Sequence, residues 1–461
     1  MRQRHFGGLV LLALGIAAVF GAGGAAADAR LGPALLDQMA AALPLQQLEV
    51  VISYRQSGPV QAAQVQALRT LGVSRGISFR ALPVVGALAT PGVIRQIAHR
   101  PDVLSIHANA ALRYYNDDAR RLSGVDQLQA DPNYGYTGAG VAVLVNDSGI
   151  DAIHADLAFG DRVVENVQAL TNLSAVVTIL PVTYLEGQLD TDISSGHGTH
   201  CAGIVGGSGA RSGGQYRGVA TDAALIGYGS GAVISILDAI GGFDYAIANQ
   251  DRFSAPIRVI SNSWGTSGPF DPTDPVNVAS FEAYRHGIVS VFAAGNDGPA
   301  ANTHNPYAQA PWVISVAAAA KDGTLADFSS RGNPGESGGF TMPDGSSWTY
   351  VNQPTLAATG VDIVSTRALT GLLPVLAVGQ DVSLDPAVLP YYTHMSGTSM
   401  ATPHVAGIVA LLFEADPTLT PSAVKAILTA TANPMPGRAA FEVGAGHVDA
   451  YEAGVVAAAG N

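Results

Sequence analysis

The chain has 461 residues, 48% of them hydrophobic and only 13% charged, against a usual charged share of about 25%, so it buries a large core and is not disordered. One cysteine, Cys201, excludes an internal disulfide framework and a multi-cysteine metal site. The net charge of −13 argues against nucleic acid as the main partner. The charge is uneven: residues 1–121 hold 12 Arg against 6 Asp and Glu, while the remainder holds 11 basic against 30 acidic side chains. A basic front that docks electrostatically on an acidic body is therefore an expectation.

Residues 1–27 read as an export signal: Arg2, Arg4 and His5, an apolar run at 9–20, and small residues up to Ala25-Ala26-Ala27. A membrane anchor over 6–27 is the competing reading, and the Gly/Ala-rich second half disfavours it. The signal predicts an exported protein, in the periplasm, at the cell surface or outside the cell. No later run reads as a membrane span. Next, 48–54 reads as a strand, 60–71 as a helix, 76–82 and 84–90 as strands, 91–99 as a helix with Pro in its first turn, and 103–107 as a strand. That βαββαβ order predicts a small α+β ferredoxin-like unit over 28–110. The polar stretch 108–122 reads as an exposed linker.

From residue 138 the pattern changes. Near-continuous apolar runs at 141–146, 224–228, 259–263, 288–294 and 312–317 are those of parallel strands covered on both faces. Helical patterns fall at 234–249, 276–286 and 399–414. The fold class expected is α/β, a doubly wound and mostly parallel sheet, preceded by the ferredoxin-like unit. The large domain spans 111–461 with its linker at 111–122. Segments 332–352 and 367–392 read as irregular surface insertions.

Three short blocks stand where such a sheet opens its site, outside the carboxyl ends of strands. Asp147-Ser148-Gly149 follows the first strand; taken alone, an Asp there is an ordinary turn or cap. His197-Gly198-Thr199-His200-Cys201-Ala202-Gly203 reads as the first turns of a helix packed through small residues, with an imidazole that accepts a proton near neutral pH. The two histidines are three apart without the Glu of the zinc-protease motif, so His200 reads as structural and no metal is expected there. Cys201 reads as a buried thiol. Ser399, in Ser396-Gly397-Thr398-Ser399-Met400-Ala401-Thr402-Pro403, is either a helix cap or a nucleophile whose own N–H faces a developing oxyanion.

Asp, His and Ser in that order, with Ser261-Asn262-Ser263-Trp264-Gly265 and Ala293-Ala294-Gly295-Asn296 between them, resemble the subtilisin family of serine proteases over nearly the whole chain. The resemblance implies a secreted serine endopeptidase that works through an acyl-enzyme and is made as a self-inhibited zymogen. Ser399 would be the nucleophile, His197 the general base and Asp147 the group that holds the imidazole. Asn296 would complete the oxyanion hole with the Ser399 N–H. A peptide or protein substrate would lie extended along Ser263, Gly265, Ala294 and Gly295. Trp264 either lines a pocket there or packs inside. The front unit resembles the family's propeptide, a folding assistant and intramolecular inhibitor. Thr221 and Thr359 depart from the family pattern, which usually has Pro at both places.

The chemistry needs no cofactor and no metal. Many relatives bind calcium through an Asp matching Asp156 and a loop after the His helix; here 206–214 has no acidic or amide side chain, and calcium stays a candidate resting on one carboxylate. Activity should fall on the acid side of roughly pH 6–7, where the imidazole is charged. Two other readings keep the fold: a non-catalytic peptide-binding protein, and a carboxyl-peptidase relative that lacks the histidine. The joint presence of Asp147, His197, Asn296 and Ser399 opposes the first, and His197 opposes the second.

Overall fold

Strands that are apolar on both faces need cover on both, and that requirement organises this chain. The computed structural model describes residues 28–109, the backbone of 113–114, and residues 122–231, 233–370, 381 and 384–460. The export segment expected at 1–27, most of the linker and much of the insertion at 367–392 lie outside the described residues.

The front unit runs β1 (Arg30–Leu31), α1 (Pro33–Ala41), β2 (Leu48–Tyr54), α2 (Ala62–Thr70), β3 (Gly76–Ser78), β4 (Val84–Ala89), α3 (Pro91–Ala98) and β5 (Val103–Ala108). Then come β6 (Arg113–Tyr114), α4 (Val125–Ala130), β7 (Ala142–Asp147), β8 (Val163–Ala169), β9 (Ile179–Pro181), β10 (Tyr184–Leu185), α5 (His197–Gly206), β11 (Ala224–Gly229), α6 (Ile236–Ala248), β12 (Ile257–Asn262), β13 (Trp264–Gly265), α7 (Pro275–Arg285), β14 (Val289–Ala293) and β15 (Ile314–Ala319). The chain closes with β16 (Ser337–Thr341), β17 (Ser347–Val351), β18 (Leu356–Thr359), β19 (Ile363–Thr366), β20 (Tyr392–Met395), α8 (Thr398–Ala415), α9 (Pro421–Thr431) and α10 (Ala450–Ala458).

An eight-stranded sheet in the order β10-β8-β11-β7-β12-β14-β15-β18 forms the centre. It is parallel throughout except at its β10 edge. Its apolar runs become strands because helices cover both faces. On one face α5, α8 and α10 share a core with Val143, Val145, Val259, Val291 and Val316; on the other, α6 and α7 pack on Leu144, Ile260 and Phe292. Helix α8 is buried from Thr398 to Phe413, and a Cβ at Gly407 would lie 2.6 Å from Val219 Cβ, so only glycine lets that helix come so close. The architecture is the expected α/β fold with a mostly parallel sheet.

Residues 29–108 build a second sheet, β1-β5-β2-β4-β3, which β9 of the body extends in parallel along β3. Its strands alternate between two cores. Val50, Ile52, Tyr54, Val85 and Ala87 face the unit's own helices, while Val51, Ile77, Val84 and Leu88 join the core of α6 and α7. Asn109 Oδ1 accepts the Leu237 N–H in the first turn of α6 (3.0 Å), and buried Asp244 on α6 accepts the Ala81 N–H (2.7 Å).

The expected electrostatic docking is only a small part of this contact. Arg30 pairs with Asp271 at 2.9 Å, and buried His107 lies 3.7 Å from Asp271 and 3.3 Å from Asp274. Arg69, Arg75 and Arg80 instead donate to backbone carbonyls of Ile179, Ser174 and Val182. Segment 332–352 is not irregular: it folds as the antiparallel hairpin β16–β17, because Phe340, Trp348 and Tyr350 reach the rings of Phe270, Phe281 and Trp312.

Gly86 tests this apolar contact, since a Cβ there would lie 2.5 Å from Leu237 Cδ2. Gly86→Leu should overpack the seam and cost about 1–3 kcal/mol. The measurement is the urea midpoint of the full chain, and an unchanged midpoint would mean that the two sheets are not held by this packing.

Candidate active site

Each group of interest emerges where a strand of the central sheet ends or a helix covering it begins. Asp147 is the last residue of β7, His197 the first of α5, and Ser399 the second of α8. Asp147 Oδ1 accepts a hydrogen bond from His197 Nδ1 at 2.6 Å, and both side chains are buried. The backbones come this close because they are bare: a Cβ at Gly198 would lie 2.2 Å from the Gly149 carbonyl oxygen, and Gly149 itself has φ of +132°.

Burial, the largest single effect, works against a charged imidazole at His197, but Asp147 and, after it, Cys201 together more than offset it, so the pKa is raised well above 6.5. His200, on the same helix, faces away and bonds the Thr393 carbonyl oxygen at 3.1 Å. Burial lowers its pKa to about 3, so it stays neutral. It is structural, as its spacing suggested.

Cys201 Sγ lies 3.7 Å from His197 Nδ1 and 3.8 Å from the Ser399 carbonyl oxygen, which places the start of α8 beside the imidazole. Asp147, His197 and Cys201 are close enough to hold a metal ion. Their chemistry does not fit one: the carboxylate and imidazole are already bonded to each other, and burial pushes the Cys201 thiol up to about 11, away from the thiolate a metal requires.

The Ser399 hydroxyl donates to the Ser263 carbonyl oxygen at 2.7 Å, and the Ser263 hydroxyl donates to the Ser399 carbonyl oxygen at 2.6 Å. Pro403 explains the second bond. Four residues after Ser399, it has no N–H to give the Ser399 carbonyl, which leaves that oxygen for Ser263. Asn296 follows β14, and its Oδ1 accepts both the Thr398 N–H (2.9 Å) and the Thr398 hydroxyl (3.0 Å). A backbone N–H only donates, so the oxygen must face Thr398 and the amide nitrogen is turned the other way as a donor.

Of the residues expected along the substrate, Gly265 pairs in β13 with Arg113 of β6, antiparallel, so the chain's own linker lies against that strand. Ala294 and Gly295 are buried, with the Gly295 N–H bonded to Thr398 Oγ1 at 3.1 Å. Trp264 packs inside: it is fully buried and its Nε1 donates to the Asn146 carbonyl oxygen at 2.7 Å. Asn305, which no motif singled out, donates to the Trp264 and Ala293 carbonyl oxygens at 3.1 and 2.9 Å and so spaces the two expected substrate strands.

The calcium candidate fails on its ligands. Asp156 is buried, but its two carboxylate oxygens accept the Arg211 N–H (3.0 Å) and the Tyr392 hydroxyl (2.6 Å). The Arg211 guanidinium stands over the Tyr391 ring, 4.6 Å from its centre. Both oxygens of the Asp156 carboxylate are thus taken by protein donors, which opposes its use as a calcium ligand.

A strand-end carboxylate bonded to an imidazole at the start of α5, with a serine at the start of α8, fits a serine hydrolase of the parallel α/β kind. The subtilase family profile, Peptidase S8, matches residues 138–446, and the chain belongs to that family. It is a serine-type endopeptidase. The chain is 32% identical over 373 residues to serine protease AprX of Bacillus subtilis (strain 168), covering 76% of this chain and 74% of that protein. It is 31% identical over 319 residues to subtilisin DY of Bacillus licheniformis, covering 68% of this chain and 89% of that one. The fold also matches crystalline fervidolysin from Fervidobacterium pennivorans, with a TM-score of 0.62 at 20% identity over 93% of this chain and 63% of that chain.

The buried, protonated thiol gives a direct check. Native protein at pH 8 should resist iodoacetamide at Cys201 and become alkylated on unfolding, read by mass spectrometry. Rapid modification of the folded protein would contradict the raised thiol pKa.

Proposed function

We propose that Ser399, His197 and Asp147 are the catalytic triad of this endopeptidase and that Asn296 completes the oxyanion hole. The observation that carries the reading is the 2.6 Å bond between His197 Nδ1 and Asp147 Oδ1. It fixes the tautomer, with the proton on Nδ1, and leaves Nε2 unprotonated to act as the base. For attack, the Ser399 hydroxyl turns from the Ser263 carbonyl to the imidazole, a change of side-chain rotamer. His197 takes the hydroxyl proton as Oγ attacks the scissile carbonyl carbon. The charge that grows on the carbonyl oxygen is met by the Asn296 amide and the Ser399 N–H, which has no partner inside the helix at its first turn. His197 then protonates the leaving amine, and water attacks the acyl-enzyme by the same path.

We also infer that residues 28–110 form a ferredoxin-like propeptide, that 111–461 is the peptidase domain with its linker at 111–122, and that the protein is exported as a zymogen. Two contacts support this. The front sheet rests on α6 and α7, and the Arg113–Tyr114 strand lies antiparallel on Trp264–Gly265, where an extended substrate would sit. A tethered segment on that strand competes with substrate at high effective concentration. Peptides, proteins and its own propeptide would be the partners. Among the described residues no helix is long and apolar enough to cross a membrane, and the export signal at 1–27 directs the chain out of the cell.

A fluorophosphonate probe should label Ser399, and Ser399→Ala should abolish labelling; an adduct mapped elsewhere overturns the assignment. Asn296→Ala should lower kcat on the order of 100- to 1,000-fold. Since His197 must be neutral to act and its pKa is raised, kcat/KM should fall as pH drops, with its midpoint above 6.5. A midpoint at or below 6.5 would contradict the Asp147–His197 coupling.

Processing gives a second test. The wild-type chain should lose its front by cleavage within 108–122, located by N-terminal sequencing, while Ser399→Ala should keep it. Equal processing in the two would remove the self-cleaving zymogen.

A further inference from the structure

Asp192 stands five residues before His197 and is completely buried. Its Oδ1 accepts the Ser148 hydroxyl and the Gly196 N–H, each at 2.9 Å. Its Oδ2 accepts the N–H of Thr199 at 3.0 Å and the Thr199 hydroxyl at 2.7 Å. These donors belong to two separate pieces of chain. Ser148 follows Asp147 at the end of β7, whereas Gly196 and Thr199 flank His197 at the start of α5. A further bond closes the loop, as the Gly198 N–H donates to Ser148 Oγ at 2.8 Å. On its other side Ser148 donates its own N–H at 2.7 Å to Asp147 Oδ1, the oxygen that accepts His197 Nδ1.

An ordinary helix cap needs bonds to the helix alone. Asp192 holds the strand turn as well, and the protein keeps it there although burial pushes the carboxyl up to about 6 against all four hydrogen bonds. We propose that Asp192 is a positioning residue for peptide hydrolysis: its carboxylate ties the turn that carries Asp147 to the helix turn that carries His197, and so sets the line of the bond between them. It acts through Ser148 and the backbone of α5 and touches no reacting atom. The proposal rests on the assignment of Asp147 and His197 as catalytic partners.

Two substitutions cut the tie at different ends. Asp192→Asn keeps the size but offers one acceptor oxygen where two are needed. Hydroxyl groups turn to suit an amide, but the N–H groups of Gly196 and Thr199 do not, so one of them is left facing another donor. Ser148→Ala removes the link to the Asp147 turn and leaves the carboxylate and its bonds to α5 in place.

The experiment uses processed enzyme from the full chain. Competent sites are counted by fluorophosphonate titration, and kcat and KM on a peptide substrate are followed across pH. Both variants should lose on the order of 10- to 100-fold in kcat per titrated site, because the imidazole is misdirected, with KM nearly unchanged. In both, the acid limb of kcat/KM should move to lower pH, since a looser Asp147 bond holds the imidazolium less well. A merely structural role would instead reduce the number of titratable sites and the urea midpoint. If kcat per site and the acid limb stay at wild-type values in the variants, the proposal is overturned. Should Asp192→Asn not fold, Ser148→Ala decides alone. Failure of the wild-type enzyme to label at Ser399 is a separate result, and it strikes the triad assignment instead.

Discussion

The hydrogen bond between Asp147 and His197 is the constraint around which the site is built. Either group alone would be costly in so dry a place, since burial disfavours both the carboxylate and the imidazolium. Paired, they offset part of each other's lost solvation, and with Cys201 beside them the balance tips toward a charged imidazole. A 2.6 Å contact between a strand end and a helix start leaves no room for side chains between the two backbones. Gly149 and Gly198 meet that demand: any Cβ at either would press on backbone, of Thr191 in the first case and of Gly149 in the second. The glycines of the two motifs are therefore part of the electrostatics, because they let the charges approach.

The serine is held by a different device. A proline inside a helix normally weakens it by removing a bond and crowding the preceding turn. In α8 the vacated acceptor is the carbonyl of Ser399, and the hydroxyl of Ser263 takes it while the Ser263 carbonyl receives the Ser399 hydroxyl. The two residues exchange hydrogen bonds across 136 positions of chain. This fixes the start of α8 against the end of β12 and holds the Ser399 hydroxyl directed to Ser263. Asn296 completes the frame from a third strand, because its carboxamide oxygen is spent on Thr398.

Much of this was legible in the sequence because it is local. Apolar runs gave the parallel strands, and the short blocks gave the groups at their ends. What stayed hidden depends on contacts distant in sequence. Strand β8 was missed because its sequence mixes Glu165, Asn166 and Gln168 with valines, and it becomes a strand only by pairing with β10 and β11. Helix α1 lacks a side-chain cap and has a Gly before its first turn, so nothing marked its start except Pro33. The C-terminal α9, by contrast, carries a plain local signal in Thr420 and Pro421, its cap and first residue. Asp192 has no motif of its own, since its partners Ser148 and Thr199 lie in two different blocks. Asp156 illustrates the opposite limit: its type suggested a cation ligand, and only the donors around it show that its oxygens are taken.

The front unit shows how one sequence pattern settles between charge and packing. Its antiparallel strands 48–54 and 84–89 are apolar at successive positions rather than at alternate ones, and an antiparallel sheet with one wet face would not need that. The second apolar face requires a cover, and Leu237, Ile240 and Phe243 of α6 provide it. Burial of that face is insensitive to salt, whereas the Arg30–Asp271 pair is half exposed on its arginine side and open to screening. Among the described residues, Arg55, Arg69, Arg75 and Arg80 of the front meet backbone carbonyls, whose dipoles orient them without a full counter-charge. Packing thus governs how firmly the two parts stay together, and charge pairing is confined to Arg30 and His107 against Asp271 and Asp274. A body stripped of the front would expose a row of large apolar side chains on α6 and α7, so separation of the two is opposed by the hydrophobic effect.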